Sequence, residues 1–531
     1  MMSPAVLFII IQVSAWAEDV EILTSAGLIR GVSRDGISSF FGIPYAQPPI
    51  GALRFAPPLP ARRWSGVRNA KEHPSMCIQS GTILSYTGSE DCLYLNAFIP
   101  SKPANASRPV IVKIHGGSFT SGSASASTNL TRATGVVVFA IQYRLGIFGF
   151  FSPDLPPPNF GMQDQQLALR WVQQNAAAFG GNPSRVMIHG CSAGGASVAG
   201  HLVLPGSFGL FSSASIASPG GHQGWMGDEK RVDDDWMSPG LNLNHSARTV
   251  KGLSCSRSSV NATLACLQHA SVHALFAFER KLRFAPALPE EGQCPLGMIQ
   301  RGQWNQVPTM IGGASCEACY SAYKILGRSV SKATFDKGLI KYGLSGVNGS
   351  GVGPETLEKW YKDRIAHEGR WRSFARILGD SGHSCSTALH AEALANTASH
   401  RTGIWRYLFD ITHTDLPGAP HCSETQYLEH SVRTHSPTEQ WLQDSLSQWI
   451  TNLAAHGDPN AGSSNAFHWS MFTKNNPSTL IATPAGAVMN STADTVRAEC
   501  KNWKPYLGWG KKIVRHSTIS DLSPPWATLV V

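Results

Sequence analysis

The sequence predicts an α/β fold in which a large, mostly parallel central sheet is flanked by helices. Short apolar runs typical of strands buried on both faces occur at Val110–Ile114, Val136–Ile141 and Val186–His189. Between the last two runs, residues 164–179 place apolar side chains on one stripe of a helix, namely Leu167, Ala168, Trp171, Val172 and Phe179. Strand, helix and strand in this order predict functional groups at the strand ends.

Two further strands are predicted at Thr309–Gly313 and Ile404–Ile411. After them, Ser436 and Pro437 are typical of a helix start, and Gly457 is typical of its end. Residues 220–300 are polar and rich in glycine, so we expect irregular structure there, forming a cap or wall around a pocket.

The composition is that of a globular protein, since 42% of the 531 residues are hydrophobic and 15% are charged. No repeat or low-complexity linker divides the chain, and we predict a single domain over residues 18–531. The net charge of +9 is not gathered into runs, which argues against a nucleic-acid partner. The composition does not indicate an oligomeric state.

Residues 1–17 are typical of a secretory signal peptide, with an apolar centre at Ala5–Ile11 and small residues at Ala15 and Ala17. No later run reaches the roughly 18 consecutive apolar residues that a membrane helix needs, so no membrane span is predicted. The sequence therefore predicts an extracellular protein. It offers six sites of the Asn-x-Ser/Thr type for glycosylation, at Asn105, Asn129, Asn244, Asn261, Asn348 and Asn490.

A candidate nucleophile follows the strand that ends at His189. Gly190, Ser192 and Gly194 fit the pattern G-x-S-x-G, and a helix that ends near Pro205 comes next. In such a turn between strand and helix, the serine is held in a strained conformation with its hydroxyl exposed at the helix N-terminus. The sequence therefore predicts that Ser192 attacks an electrophilic substrate.

A serine nucleophile also needs donors for the oxyanion of its tetrahedral intermediate. The segment "HGGSF", His115–Phe119, follows a predicted strand directly and can turn its backbone N–H groups toward the serine. We predict that Gly117, Ser118 and Ala193 donate to the oxyanion, each contributing about 3 kcal/mol of transition-state stabilisation.

These motifs and four others, in order along the chain, resemble the type-B carboxylesterases, the carboxylesterase and cholinesterase-like family of α/β-hydrolases. The others are "FGIPYAQPPIGALRF" from Phe41, "SEDCLYLNAFIP" from Ser89, "QYRLGIFGF" from Gln142 and "NFGMQDQQLALRWVQQNAAAFGGNP" from Asn159. The resemblance covers most of the chain after the predicted signal peptide. It implies an α/β-hydrolase fold with elaborated loops around a substrate gorge, and hydrolysis of small carboxylic esters without a metal or other cofactor.

The resemblance also implies the partners of Ser192. The family's acid segment reads "GGASCEA" here, which gives Glu317 as the acid, and its histidine segment reads "HCSETQY", which gives His421 as the base. Ser218 matches a serine close to the acid. Other positions implied by the resemblance are the rival acids Glu424 and Asp164, the ion pairs of Asp164 with Arg144 and of Glu90 with Arg54, and an acyl-pocket aromatic at Phe284.

Eleven cysteines in a secreted chain indicate disulfides and leave at least one cysteine over. The resemblance implies three pairs, Cys77 with Cys92, Cys255 with Cys266, and Cys385 with Cys500. Cys294 could pair with Cys316 or with Cys319. A zinc site at Cys316-x-x-Cys319 is not favoured, because no second pair has ligand spacing.

Two cysteines depart from the family pattern. Cys191 stands before the serine in place of the usual glutamate, and Cys422 stands after the histidine in place of the usual glycine. Because Ser192 and His421 must meet, their neighbours are forced close together, and we predict a disulfide between Cys191 and Cys422. The alternative is two buried thiols, since bridging geometry is narrow. The same local pair resembles tannases and feruloyl esterases.

Together these features predict a secreted serine esterase that hydrolyses small-molecule esters through an acyl-enzyme. A choline ester is disfavoured, because the short loop between Cys77 and Cys92 has no tryptophan, and Tyr86 is its one aromatic residue. The alternatives are a lipase, an esterase of aromatic acids, or an adhesion protein that has kept only the fold.

Overall fold

A computed structural model describes most of the chain from Ala17 onward. The described residues are 17–81, 85–101, 107–152, 158–220, 237, 239–282, 284–287, 294–327, 330–341, 353–413, 416–434, 436–462, 467–490 and 498–503. The predicted signal peptide lies outside them except for Ala17, as do the glycosylation sites Asn105 and Asn348.

The fold is built on a sheet of thirteen strands, accompanied by a small two-stranded sheet of β5 and β6. The strands are β1 Glu18–Leu23, β2 Leu28–Arg34, β3 Ile37–Pro44, β4 Val67–Asn69, β5 Gln79–Ser80, β6 Tyr86–Thr87, β7 Tyr94–Pro100, β8 Arg108–Ile114, β9 Val137–Ile141, β10 Gly181–Cys191, β11 Ser213–Ala217, β12 Thr309–Ala314, β13 Ile404–Phe409, β14 Thr479–Thr483 and β15 Gly486–Asn490.

The strand order along the large sheet is β1-β2-β3-β7-β9-β8-β10-β11-β12-β13-β14-β15, and β4 pairs with β2. From β9 to β14 every neighbouring pair is parallel, whereas the strands at both edges are antiparallel. The carboxyl ends of β10, β12 and β13 therefore lie along one edge of the sheet, where open α/β sheets bind their ligands.

Helices cover both faces of this sheet. They are α1 Thr128–Thr134, α2 Gly146–Phe150, α3 Phe160–Asn175, α4 Ala193–Val203, α5 Pro239–Gly252, α6 Val260–His269, α7 Val272–Leu282, α8 Pro295–Gln300, α9 Cys319–Leu326, α10 Lys332–Lys341, α11 Pro354–Trp360, α12 Lys362–Gly379, α13 Cys385–Thr397, α14 Ser423–Leu428, α15 Pro437–His456 and α16 Ala498–Trp503. A π-helical segment, Asp380–Ser384, joins α12 to α13.

Strand β8 shows why the core has two halves. Val110, Val112 and Ile114 belong to the larger apolar cluster, which α3 and α4 complete. Ile111 points to the other face and joins a second cluster with α15. Both faces of the central strands are thus buried, which explains their continuous apolar sequence.

The predicted α/β architecture and its strand, helix, strand order are confirmed. Each predicted strand is present to within a few residues at its ends, except that β10 starts at Gly181, five residues before Val186. The predicted helix start at Ser436 is also correct, because the Ser436 hydroxyl accepts from the Glu439 N–H at 3.1 Å. Gly457 ends α15 with a φ of 70°.

The expectation of irregular structure over residues 220–300 is wrong for its described part, which contains four helices, α5 to α8. In α7 the buried residues Leu275, Phe276 and Leu282 recur at helical spacing on one face. The disulfide between Cys255 and Cys266 ties α6 to the turn after α5. Part of the polar composition of this segment is buried with these helices, as at Asn242, Thr249 and Glu279.

Candidate active site

Ser192 lies on a sharp turn between β10 and α4. Its backbone has φ 60° and ψ −128°, a strained combination for a residue with a side chain. The flanking glycines are required by packing: a Cβ at Gly190 would lie 2.4 Å from the Gly194 carbonyl carbon, and one at Gly194 would lie 2.2 Å from the Ile114 oxygen. The turn is therefore held from both sides, and Ser192 stays partly exposed at the start of the buried helix α4.

The predicted oxyanion donors lie on two segments next to this turn. A Cβ placed on Gly116 would lie 3.1 Å from the Ser192 Cβ, so the loop after β8 runs directly against the nucleophile. Gly117 and Ser118 both have positive φ, 108° and 53°. Ala193 is the first residue of α4, where backbone N–H groups and the helix dipole favour negative charge.

Glu317 and His421 form a direct hydrogen bond, with 2.5 Å between His421 Nδ1 and Glu317 Oε2. The Glu317 side chain is fully buried, whereas that of His421 is 30% exposed. Burial acts to raise the pKa of Glu317, but the charge of His421 and hydrogen bonds from His421 and Ser218 hold it below its ordinary value. An ionised Glu317 can only accept, so Nδ1 of His421 carries hydrogen and Nε2 is left to accept a proton.

The structure contains five disulfides, including the four expected from the sequence: Cys77–Cys92, Cys255–Cys266, Cys385–Cys500 and Cys191–Cys422. The Cα atoms of Cys191 and Cys422 are 6.0 Å apart, although 231 residues separate them in sequence. This bond holds the residue before Ser192 against the residue after His421. The fifth disulfide joins Cys316 to Cys319, so both expected pairings of Cys294, with Cys316 or with Cys319, are wrong, and the buried Cys294 belongs to none of the five.

One cluster within the described part of the chain has metal-ligand spacing. It consists of the sulfurs of Cys191 and Cys422 and a ring nitrogen of His421, all within 4.8 Å of one another. Both sulfurs are consumed by the disulfide and offer no thiolate, which is the form that binds metals. The arrangement is therefore a covalent link between the neighbours of Ser192 and His421.

Comparison with known proteins agrees with this geometry. Residues 18–501 match the profile of the carboxylesterase family. The chain belongs to the carboxylesterase family. It is therefore a carboxylic ester hydrolase on an α/β-hydrolase fold.

Named relatives of this carboxylesterase are also ester hydrolases. A cholinesterase of Mus musculus is 30% identical over 86% of this chain and 82% of its own length. A cocaine esterase of Homo sapiens is 31% identical over 85% of this chain and 84% of its own. An acylcarnitine hydrolase of Rattus norvegicus is 35% identical over 61% of this chain and 62% of its own.

In this carboxylesterase a second buried carboxyl group, Glu424, lies on the other side of Ser218 from Glu317. The Ser218 hydroxyl oxygen is 2.8 Å from Glu317 Oε1 and 2.9 Å from Glu424 Oε1. Burial and then the negative charge of Glu317 raise the pKa of Glu424 to about 7. Ser218 has a single proton, so it donates to the ionised Glu317 and accepts from a protonated Glu424. Glu424 is thus mostly protonated below pH 7, and the hydrogen bond to His421 belongs to Glu317.

The raised pKa of Glu424 predicts a pH-dependent effect of Glu424→Gln on stability. Between its ordinary pKa of 4.5 and about 7, the folded state keeps a proton that the unfolded chain has lost, so stability falls as pH rises through this window. The amide of the variant does not ionise, so its stability does not fall with pH for this reason. We expect the free energy of unfolding of the variant, relative to wild type, to rise by about 1–3 kcal/mol between pH 5 and pH 8. Chemical denaturation at both pH values measures this change, and parallel pH curves for the two proteins would contradict it.

His383 is a neighbour of the site that the sequence analysis missed. Its ring centroid lies 4.4 Å from that of His421, with 33° between the ring planes. Burial and then the charge of His421 lower the pKa of His383 to about 4, so its ring is neutral at pH 7. His383 lies on the π-helical segment, and such segments often occur at functional sites. No motif marks it among the 19 histidines of the chain.

The remaining predicted positions lie in the surrounding structure. Asp164 does not join the triad but forms a buried ion pair with Arg144, 2.8 Å between Arg144 Nη2 and Asp164 Oδ1. The pair of Arg54 and Glu90 is also present, at 2.6 Å. Phe284 is buried, with its ring 6.2 Å from Phe151 and 5.7 Å from His245. Its role in an acyl pocket stays a prediction.

Proposed function

We propose that this carboxylesterase is a secreted serine esterase that hydrolyses small carboxylic esters through an acyl-enzyme, with Ser192, Glu317 and His421 as its triad. The observation that carries the proposal is the hydrogen bond between Glu317 and His421 Nδ1, which leaves Nε2 of His421 as the proton acceptor. The Cys191–Cys422 bond joins the residue after His421 to the residue before Ser192, which lies in the strained turn between β10 and α4, called the elbow below. No residue of this set needs a metal or an organic cofactor for this chemistry.

The reaction proceeds in two halves. His421 takes the Ser192 proton as Oγ attacks the ester carbonyl, and the backbone N–H groups of Gly117, Ser118 and Ala193 stabilise the oxyanion. The alcohol leaves with the proton held by His421, which gives the acyl-enzyme. Water then loses a proton to His421 and attacks the acyl carbon, and collapse of the second intermediate returns the proton to Ser192.

Secretion of a single-domain protein is part of the proposal. Five disulfides are typical of an oxidising compartment, and no helix among the described residues is long and apolar enough to cross a membrane. Asn129, Asn244 and Asn261 are exposed and open to glycosylation, and Asn490 is partly exposed. Signal-peptide removal and these glycans are testable by N-terminal sequencing and glycosidase treatment of the secreted protein.

Hydrolysis of p-nitrophenyl acetate or butyrate, together with covalent labelling by an organophosphate, tests the proposal. We expect turnover, and we expect one phosphoryl group per chain on the peptide that contains Ser192. A folded protein that neither turns over any ester of the series nor reacts with the organophosphate would instead be a binding or adhesion protein.

Substrate preference separates the alternative esterases. We expect p-nitrophenyl butyrate to exceed butyrylthiocholine in kcat/KM by about tenfold, because Tyr86 alone replaces the missing tryptophan in the loop closed by Cys77 and Cys92. The Cys191–Cys422 bond supports one further candidate, an esterase of aromatic acids. Methyl ferulate as the best substrate of the panel would favour that candidate, and a maximum at acyl chains beyond about ten carbons would favour a lipase.

Mild reduction is expected to inactivate the enzyme before it unfolds. Among the five disulfides, Cys191–Cys422 is the one in which both residues are partly exposed, whereas the others each contain a buried cysteine. A dithiol reductant therefore reaches it first, giving two thiols while the reductant becomes a disulfide. We expect at least tenfold loss of kcat below the melting temperature, because His421 is no longer tied to the elbow.

Alkylation and peptide mass analysis of the reduced sample should find Cys191 and Cys422 modified first. The matched variant is Cys191→Ala with Cys422→Gly, since Cys422 has φ 60° and glycine adopts this conformation without strain. Full activity in this double variant would show that the bond has no part in catalysis.

A further inference from the structure

The disulfide Cys316–Cys319 encloses the proposed catalytic acid. It joins two cysteines that are three residues apart in sequence, with Glu317 and Ala318 between them. Cys316 follows the end of β12, and Cys319 is the first residue of α9. The bond closes a ring that runs from Cys316 to Cys319, called the ring below. The exposed fractions of Cys316 and Cys319 are 3% and 0%, so the bond is closed to solvent.

A ring this small contributes little to the stability of the whole fold. A disulfide restricts the unfolded chain more as its loop grows longer. The other four bonds span 11, 15, 115 and 231 residues in sequence, against three for this one. Its effect is therefore local, and the residue it surrounds is Glu317.

The ring lies in a turn whose geometry fixes the carboxylate. The Ala314 N–H donates to Glu317 Oε1 at 2.8 Å, and the Cys319 N–H donates to the Cys316 carbonyl at 3.2 Å. A Cβ on Gly313 would lie 2.5 Å from Glu317 Oε1, so the carboxylate is packed against the strand itself. A change in the backbone of this turn would move the carboxylate directly.

The same turn is paired to the loop that carries the base. Cys316 forms a β-bridge with Pro420, the residue before His421, and the Cys316 N–H donates to the Ala419 carbonyl at 3.0 Å. The Ala419 N–H in turn donates to the Ser315 hydroxyl at 2.9 Å. The ring thus ends where the acid-bearing and base-bearing segments meet.

We propose that the Cys316–Cys319 disulfide is a positioning element of the triad, which fixes the turn of Glu317 against the loop of His421. This inference rests on the proposed function, because it requires Glu317 to be the acid. Cys191–Cys422 ties the neighbours of base and nucleophile together, and Cys316–Cys319 fixes the turn of the acid, which pairs with the loop of the base through the backbone of Cys316. Without the ring the turn gains backbone freedom, and a displacement of about 1 Å at a catalytic group lowers a rate by about 100-fold.

The test replaces both cysteines by serine, Cys316→Ser with Cys319→Ser, and measures the pH dependence of p-nitrophenyl butyrate hydrolysis. We expect kcat to fall about tenfold or more while KM stays within about threefold, because the group affected acts on the transition state. In the plot of kcat/KM against pH, the acid limb is the rise in activity as His421 loses its proton. We also expect this limb to move about 0.5 pH unit or more to lower pH. The reason is that a displaced Glu317 stabilises the protonated form of His421 less.

The control variant is Cys255→Ser with Cys266→Ser, which removes a disulfide in the α5–α6 region. We expect its kcat to stay within about threefold of wild type and its acid limb to stay in place. A merely structural loss would lower the amount of folded enzyme in either variant, but it would not move the acid limb.

A second arm repeats the serine pair in a Glu317→Gln background. If the ring acts through Glu317, its removal there lowers kcat by less than about twofold further. Loss of activity in Glu317→Gln together with an unchanged kcat and acid limb in the serine pair overturns the positioning role and leaves the proposed function intact. Full activity in Glu317→Gln overturns the proposed function instead.

Folding of the serine pair is checked by circular dichroism. Should it not fold, Cys316→Ala with Cys319→Val takes its place, since it refills the buried volume with apolar atoms. The same kinetic outcomes then apply. Failure of both pairs to fold overturns the proposal, because the bond would then serve the fold as a whole.

Discussion

Ser192→Ala is expected to lower kcat/KM for p-nitrophenyl butyrate by about 10⁴-fold or more, equivalent to about 5.5 kcal/mol of transition-state stabilisation. The variant keeps the oxyanion donors and the bond between Glu317 and His421, but it has no oxygen to form the acyl-enzyme. Steady-state hydrolysis on protein purified to constant specific activity measures the loss.

The same substitution should leave the fold unchanged. The Ser192 side chain makes no contact on which the elbow depends, since the turn is held by the Ser192 N–H, which donates to the Ala217 carbonyl at 3.1 Å, and by the packed glycines. We expect melting within a few degrees of wild type and no labelling by an organophosphate. Activity within tenfold of wild type would exclude Ser192 as the nucleophile.

Glu317→Gln is expected to lower kcat by about 10³–10⁴-fold at pH 7. In the wild type, the Ala314 N–H and the Ser218 hydroxyl both donate to Oε1. An amide at this position places its oxygen on those two donors, and its NH₂ group then faces His421. The imidazole must accept there through Nδ1, so its proton moves to Nε2, where it can no longer accept the proton of Ser192.

The matched control is Glu424→Gln, which changes the other carboxyl that contacts Ser218. Because Glu424 is mostly protonated below pH 7, we expect its amide to lower kcat at pH 6 by less than about tenfold. Rates for both variants, measured at pH 6 to 9 with one substrate, make the comparison. A larger loss in the Glu424 variant than in the Glu317 variant would assign the acid to Glu424.

Five central strands of the thirteen-stranded sheet, β8, β9, β10, β12 and β13, were predictable because they carry a local signature. Val110–Ile114 is apolar on both sides of the strand, and both sides are buried. The same holds for the cap at Ser436, where hydroxyl and backbone groups lie within one turn. Residues 220–300 were misjudged because their helices bury narrow stripes such as Leu275, Phe276 and Leu282 amid polar residues.

The disulfide between Cys191 and Cys422 was predictable for a different reason. The two cysteines are neighbours of Ser192 and His421, which must meet for the proposed catalysis. This requirement placed the cysteines close together, although nothing in their sequence spacing does. No such constraint applied to Cys294, Cys316 and Cys319, and the two pairings expected for Cys294, with Cys316 or with Cys319, are both wrong. The structure pairs Cys316 with Cys319 instead, because Cys319 lies at the start of α9, one tight turn from Cys316.

By itself, the sequence determined the fold class and the turn at Ser192, and it predicted the segments of Glu317 and His421 as those of the proposed acid and base, since each depends on residues close together in the chain. Tertiary structure alone decided that Ser218 bridges Glu317 to Glu424 across 99 and 206 residues, and that the His383 ring packs against that of His421. These contacts form between distant segments. Burial where these segments meet, together with the charge of Glu317, raises the pKa of Glu424. The charge of His421 and the hydrogen bonds from His421 and Ser218 lower the pKa of Glu317.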